Sequence, residues 1–173
     1  MQVEEVGLEG VLLLKPTCFA DDRGFFMEMY HAQKYADLGI SGFVQVNWSH
    51  SRKGTIRGLH YQVAPHEQGK LVWCVKGEVF DVAVDIRPKS STFGKWIGIW
   101  LSSEQHNQLW VPAGFAHGLC ATSDEVEFLY ACTTLYHPES ERTIRFDDPE
   151  LAIEWPVPVV SEKDRKGIRF SEV

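Results

Sequence analysis

The most regular feature of the chain is a two-residue alternation. In Val79-Phe-Asp-Val-Ala-Val-Asp-Ile86, Phe80, Val82, Val84 and Ile86 share one side and Asp81, Ala83 and Asp85 the other. That is the period of a strand, not of a helix. Trp96-Ile-Gly-Ile-Trp-Leu101 and Phe128-Leu-Tyr-Ala-Cys-Thr-Thr134 are rich in the aromatic and β-branched residues that suit a pleated surface. Turn signals recur at Lys76-Gly77, Arg87-Pro88, Pro112-Ala-Gly114 and Ser123-Asp124. Only Ala32 to Leu38 reads as a helix, stopped by Gly39. Many short strands and few helices predict an all-β sandwich or small barrel with a few short helices. Alternate residues of each strand would line its interior pocket. No Ser/Gly linker, low-complexity run or repeat divides the chain, so residues 1–173 are read as one domain.

Composition narrows the class. Hydrophobic residues make up 44% of the 173 and charged residues 24%, the balance of a folded globule. A chain of this length buries roughly 70% of its unfolded surface and needs no disulfide or metal to hold a core. Seventeen basic against 24 acidic residues leave a net charge of −7, which argues against nucleic acid or an acidic membrane as partner. A local basic pocket for one small anion stays open. Cys18, Cys74, Cys120 and Cys132 lie far apart and are read as reduced and mostly buried. The acidic start, Met1-Gln-Val-Glu-Glu, and the short apolar run Val11 to Leu14 fit neither a signal peptide nor a membrane span, so a cytoplasmic protein is expected.

Seven histidines stand at 31, 50, 60, 66, 106, 117 and 137, none in a His-x-His pair, so no metal is expected. Thr55-Ile-Arg-Gly-Leu-His-Tyr-Gln62 is unusually polar for a core strand. Arg57 keeps its charge and is costly to bury unpaired, while His60 exchanges a proton near neutral pH. His60 is open to a purely structural reading, but Arg57, Gln62 and Lys70 nearby describe an anionic or carbonyl-bearing ligand. Strand parity separates Arg57 from His60, so a shared pocket requires a bulge or twist at Gly58. Asp21 to Glu28, Gln45-Val-Asn47, Pro112 to Gly118 and Ser161 to Gly167 are further polar clusters. Singly, each reads as a turn, a strand end or a solvated tail. These features alone stop at a β-barrel with a polar pocket and acid/base chemistry on a charged small molecule.

Taken in order, the same clusters resemble the dTDP-4-dehydrorhamnose 3,5-epimerase family. The matching segments include Asp22-Arg-Gly-Phe-Phe26, Arg57-Gly-Leu-His-Tyr-Gln62, Gln68-Gly-Lys-Leu-Val72, Gly77 to Arg87, Ser91-Thr-Phe-Gly94, Pro112 to Gly118, Phe128-Leu-Tyr130, Glu154-Trp-Pro156 and Ser161-Glu-Lys-Asp164. They span residues 8 to 167. The resemblance implies a cupin-type jelly roll that uses no metal and no cofactor, acting on dTDP-4-keto-6-deoxyglucose. It implies His60 as the base oriented by Asp164, with Asp81 as a rival partner, Tyr130 as the acid, and Lys70 as donor to the C4 oxygen. Arg23, Arg57 and Lys163 match contacts to the diphosphate or its surroundings, and Glu28, Gln45 and Asn47 match positions near the nucleotide or sugar. His117 lines the pocket, Tyr136 matches the ring that stacks on thymine, and Glu141 aligns with another binding position. The segment bearing Arg23, Phe26 and Glu28 reaches the neighbouring subunit's site in the family, which implies a homodimer. Relatives that invert one carbon keep the same His, Tyr and Lys. A metal-dependent cupin oxygenase and a non-catalytic sugar-nucleotide binder are the readings outside this class.

Overall fold

The computed structural model describes residues 1–40, 42–156, 159–160 and 162–173, with backbone only at 159, 160, 162 and 163. Its strands are β1 (Gln2–Glu5), β2 (Leu12–Lys15), β3 (Cys18–Asp21), β4 (Gly24–Met27), β5 (Gln45–Arg52), β6 (Thr55–Gln62) and β7 (Lys70–Lys76). They continue with β8 (Glu78–Asp85), β9 (Trp96–Ser102), β10 (Gln108–Val111), β11 (Phe115–Ala121), β12 (Glu125–Cys132), β13 (Glu141–Thr143) and β14 (Val159–Val160). The helices are α1 (Ala32–Ala36) and α2 (Glu162–Arg165).

One sheet runs β1-β2-β10-β7-β12-β5 and the other β13-β6-β11-β8-β9, with β14 beside β6 and β3–β4 a separate hairpin. From β5 to β8, and again from β10 to β13, each strand lies in the opposite sheet from the one before it. This is the winding of a jelly roll, in which tight turns carry the chain across the sandwich. Gly77 makes one of them at φ +78°, and a Cβ there would meet the Glu125 carbonyl oxygen at 2.5 Å. Only glycine fits.

Apolar residues fill three places. Val72, Val79, Ala83, Leu109, Phe115, Leu119 and Phe128 pack between the sheets. Behind the second sheet, Val82, Val84, Ile86 and Leu59 meet Ile144, Leu151 and Phe170 of the C-terminal segment. Behind the first, Leu14, Leu71 and Trp110 are covered by Tyr35 and Ile40, on and just after α1. Each such side chain stabilises the fold by roughly 1.5–3 kcal/mol when fully buried. With both sheets backed, the polar side of β8 has nowhere to go but inward. Asp81, 0% exposed, lies inside the sandwich together with Ala83.

Two local expectations need correction. The first helix ends two residues short of Leu38, where the Gly39 and Ile40 amides donate to the Ala36 and Tyr35 carbonyls and Gly39 takes φ +78°. The tail around residue 164 contains the short helix α2, too brief to show a period in sequence. Three of the four free cysteines are buried.

Candidate active site

The cavity between the sheets has two adjoining compartments. One, of about 380 Å³, is lined by Ser49, Arg57, His60, Lys70, His117, Tyr130 and Asp164, with apolar walls from Ile56, Leu119 and Phe128. The other, of about 280 Å³, is lined by Gln45, Asn47, Gln62, Gln68, Tyr136 and Glu141. His60, Lys70 and Tyr130 border both. These volumes suit a small-molecule ligand.

The walls are chemically distinct. His60 comes from β6 in one sheet, Lys70 and Tyr130 from β7 and β12 in the other. A ligand between the sheets therefore meets His60 on one face and Tyr130 on the other. His60 pairs across the sheet with His117, whereas the next registered pair is Arg57 with Leu119. Two residues on β6, Gly58 and Leu59, thus oppose the single Gly118 on β11, which defines a bulge. Gly58 sits in it at φ +121°, and a Cβ there would meet Gly118 Cα and the His117 carbonyl oxygen at 2.6 Å. The bulge required by strand parity is present, and it turns Arg57 and His60 into the same compartment.

Each polar group has a distinct set of partners. His60 Nε2 lies 2.8 Å from Asp164 Oδ1, a carboxylate only 6% exposed. Asp81, the rival partner, instead holds His117 Nε2 at 2.8 and 3.0 Å. Arg57 donates to Ser51 Oγ and the His50 carbonyl and faces no carboxylate within ion-pair distance among the described residues. The Lys70 ammonium has no hydrogen-bond or ion-pair partner among the described residues. Burial holds its pKa below the usual lysine range, against the pull of Cys132, Glu141 and Asp81. Burial is also the main cause that raises the Tyr130 phenol, keeping it protonated, and the Asp81 carboxyl.

In the second compartment, the Tyr136 hydroxyl donates to Glu141 Oε2 at 3.0 Å, leaving the Tyr136 ring half exposed. Gln45 Oε1 accepts from the Tyr136 amide and Gln45 Nε2 donates to Asn47. Gln62 also lines this compartment, and its side-chain hydrogen bonds go to loop backbone. It donates to the His66 and Leu135 carbonyls and accepts from the His137 amide, pinning two loops.

Arg23, Phe26 and Glu28 line neither compartment of their own chain. Arg23 is ion-paired with Asp21, Glu28 with Lys34, and Phe26 is 69% exposed. The side chain of Lys163, on α2, falls outside the described residues. Sequence reasoning missed Ser49, whose Oγ is buried in the cavity wall without a partner among the described residues. A signal for it existed. Ser49 has the strand parity of Gln45 and Asn47, opposite to the exposed Val46 and Trp48.

A proton acceptor tied to a buried carboxylate, a phenol opposite it and, on the phenol's wall, an ammonium with no partner among the described residues suit proton transfer next to a polarised carbonyl. Comparison with known proteins agrees in class. A family model described as dTDP-4-dehydrorhamnose 3,5-epimerase matches residues 5–172. The enzyme of that name from Shigella flexneri is 51% identical, over 98% of this chain and 96% of its own. The crystal structure of the 3,5-epimerase of Legionella pneumophila Philadelphia 1 in complex with dTDP-4-keto-L-rhamnose superposes with a TM-score of 0.96 at 46% identity, covering 99% and 94% of the two chains. A dTDP-4-dehydrorhamnose 3-epimerase from Streptomyces niveus is 38% identical over 99% of this chain and 85% of its own. On the family model, the relatives and the shared fold together, this chain belongs to the dTDP-4-dehydrorhamnose 3,5-epimerase family.

Proposed function

We propose that the protein inverts C3 and C5 of dTDP-4-keto-6-deoxy-D-glucose to give dTDP-4-keto-L-rhamnose. The observation that carries this reading is the placement of His60 and Tyr130 on opposite walls, with Lys70, on the Tyr130 wall, bordering both compartments and without a partner among the described residues. Both carbons adjoin the C4 ketone, so loss of either proton gives the same kind of enolate. His60 takes the proton, and Asp164 stabilises the imidazolium that forms. The electron pair moves onto the C4 oxygen, where Lys70 donates. One such preorganised donor supplies about 3–4 kcal/mol of transition-state stabilisation. Tyr130 returns a proton to the opposite face, and its phenolate is reprotonated as His60 gives up its own proton.

The second compartment suits the nucleotide. Tyr136 offers a half-exposed ring held at its hydroxyl by Glu141, a surface on which thymine stacks. Gln45 and Asn47 border the same space, and Arg57 and Lys163 serve the diphosphate. His117, fixed by Asp81, packs beside His60. Arg23, Phe26 and Glu28 complete the site of a second subunit in a homodimer. Supporting this, Phe19, Phe25 and Phe26 on the β3–β4 hairpin and Val44, Val46 and Trp48 at the edge strand are 59–69% exposed. A lone chain rarely leaves so much apolar surface open.

The 38% identical 3-epimerase favours a second reading, inversion at one carbon only. Proton NMR of dTDP-4-keto-6-deoxyglucose with the protein in D₂O separates the two. Deuterium entering at both C3 and C5, with dTDP-rhamnose formed by an added reductase, is the expected result. Label at one carbon supports the mono-epimerase, and no label at either overturns the proposal.

A further inference from the structure

Outside the cavity, two histidines and a glutamate meet on two loops. His66 lies between β6 and β7, His137 and Glu139 between β12 and β13. The two imidazole rings stack with centroids 3.5 Å apart and planes 13° from parallel. One ligand atom from each of the three residues falls within 4.8 Å of the others. A tetrahedral ion with bonds of about 2.0–2.1 Å needs its donors about 3.4 Å apart and lies in the plane of each ring, so closing the set requires the stacked imidazoles to turn out of parallel as well as shifts of roughly an ångström. Glu139, 68% exposed, already lies 3.2 Å from His137 Nδ1, and the His137 side chain is 33% exposed.

Hydrogen bonds tie the two loops together. Gln62 holds the His66 carbonyl and the His137 amide from below. The Val63 amide donates to Ser140, Thr134 Oγ1 to the Glu67 carbonyl, and the Gly69 amide to Thr133 Oγ1. Ser140 Oγ lies 2.9 Å from His66 Nδ1, the outer partner that fixes the orientation of a ligating ring.

We propose that His66, His137 and Glu139 form a binding site for a divalent transition ion of the zinc or nickel class, clamping these two loops together. Two imidazoles and one carboxylate select such ions over magnesium or calcium, which prefer all-oxygen sites. Water would complete the coordination on the open side. The site is structural in kind: it lies apart from the proton-transfer residues and does not depend on the epimerase reading.

The test uses the full-length protein free of any histidine tag, titrated with zinc chloride by calorimetry in a non-coordinating buffer. One ion per chain is expected, with a Tm rise of roughly 5–10 °C at a hundred times Kd. His66→Gln and His137→Gln should each weaken binding about tenfold or more. The zinc-free affinity of both variants for dTDP should match that of the unaltered protein, since Gln62 contacts only backbone atoms of these residues. Absence of saturable binding up to millimolar zinc overturns the proposal, as does binding that survives both substitutions together.

Discussion

Replacing Lys70 with methionine should make the protein more stable and nearly inactive. Methionine keeps the volume of the lysine stem, so little packing is lost. What disappears is an ammonium with no partner among the described residues, whose charge is disfavoured by burial. Leaving a buried polar group unsatisfied costs about 1–3 kcal/mol, and the cavity opening places Lys70 at the lower end. Relief of about 1 kcal/mol corresponds to a Tm increase of roughly 2–4 °C in a domain of this size. Turnover should move the other way, because one lost oxyanion donor costs about 10²–10³ in kcat. The pH dependence adds a third readout. With the folded pKa lowered, the unfolded chain binds the proton more readily, so this lysine's contribution to stability rises as pH climbs from the lowered value to 10.5 and is fully unfavourable below that window. The variant should lose that alkaline slope. Thermal unfolding without ligand, as a function of pH, and NMR-monitored turnover measure all three. A lower Tm together with kcat within tenfold of the unaltered enzyme would refute the reasoning and make Lys70 a structural residue.

Four other outcomes are expected. His60→Asn should abolish solvent exchange at C3 and C5 while dTDP affinity, measured by calorimetry, stays within about threefold; near-normal exchange would exclude His60 as base. Tyr130→Phe should let substrate take up deuterium without inverting, visible as labelled but unepimerised sugar in the NMR assay. Gly58→Ala forces a side chain into φ +121° and against the backbone of His117 and Gly118, so it should cost at least about 2–3 kcal/mol and lower Tm by more than about 4 °C in thermal unfolding. Trp48→Glu places a charge among the exposed apolar side chains of the edge strand and should shift the mass measured by light scattering from the proposed dimer toward monomer, with activity falling in step.

Much of the architecture was legible because period-two patterning and turn chemistry are local. The alternation from 79 to 86, the strand at Trp96 and the turns at Lys76-Gly77 and Pro112-Ala-Gly114 depend on neighbours in sequence, and each appears where expected. Even the demand for a bulge at Gly58 followed from counting residues between Arg57 and His60. The gathering of His60, Lys70, Tyr130 and Asp164 at one cavity was expected only through resemblance to a family. No local rule links positions 104 residues apart, and that is the separation of His60 and Asp164. Periodicity was equally silent on Gln62, whose amide serves the loops, and on the His66–His137 stack.

Parity marks the division most clearly. Sequence alone sorted β8 into an apolar side, Phe80 to Ile86, and an acidic one, Asp81 and Asp85. The same alternation runs unread through β5, where Gln45, Asn47 and Ser49 have the opposite parity to Val46 and Trp48. Which side of each strand faces the interior was decided only in three dimensions. The C-terminal segment covers the apolar back of β8, so Asp81 turns inward to hold His117. On β5 the polar residues face the cavity, and Val46 and Trp48 are left at the surface. A strand's alternation is a property of its own backbone, whereas the environment on either side is set by whichever distant segment packs there.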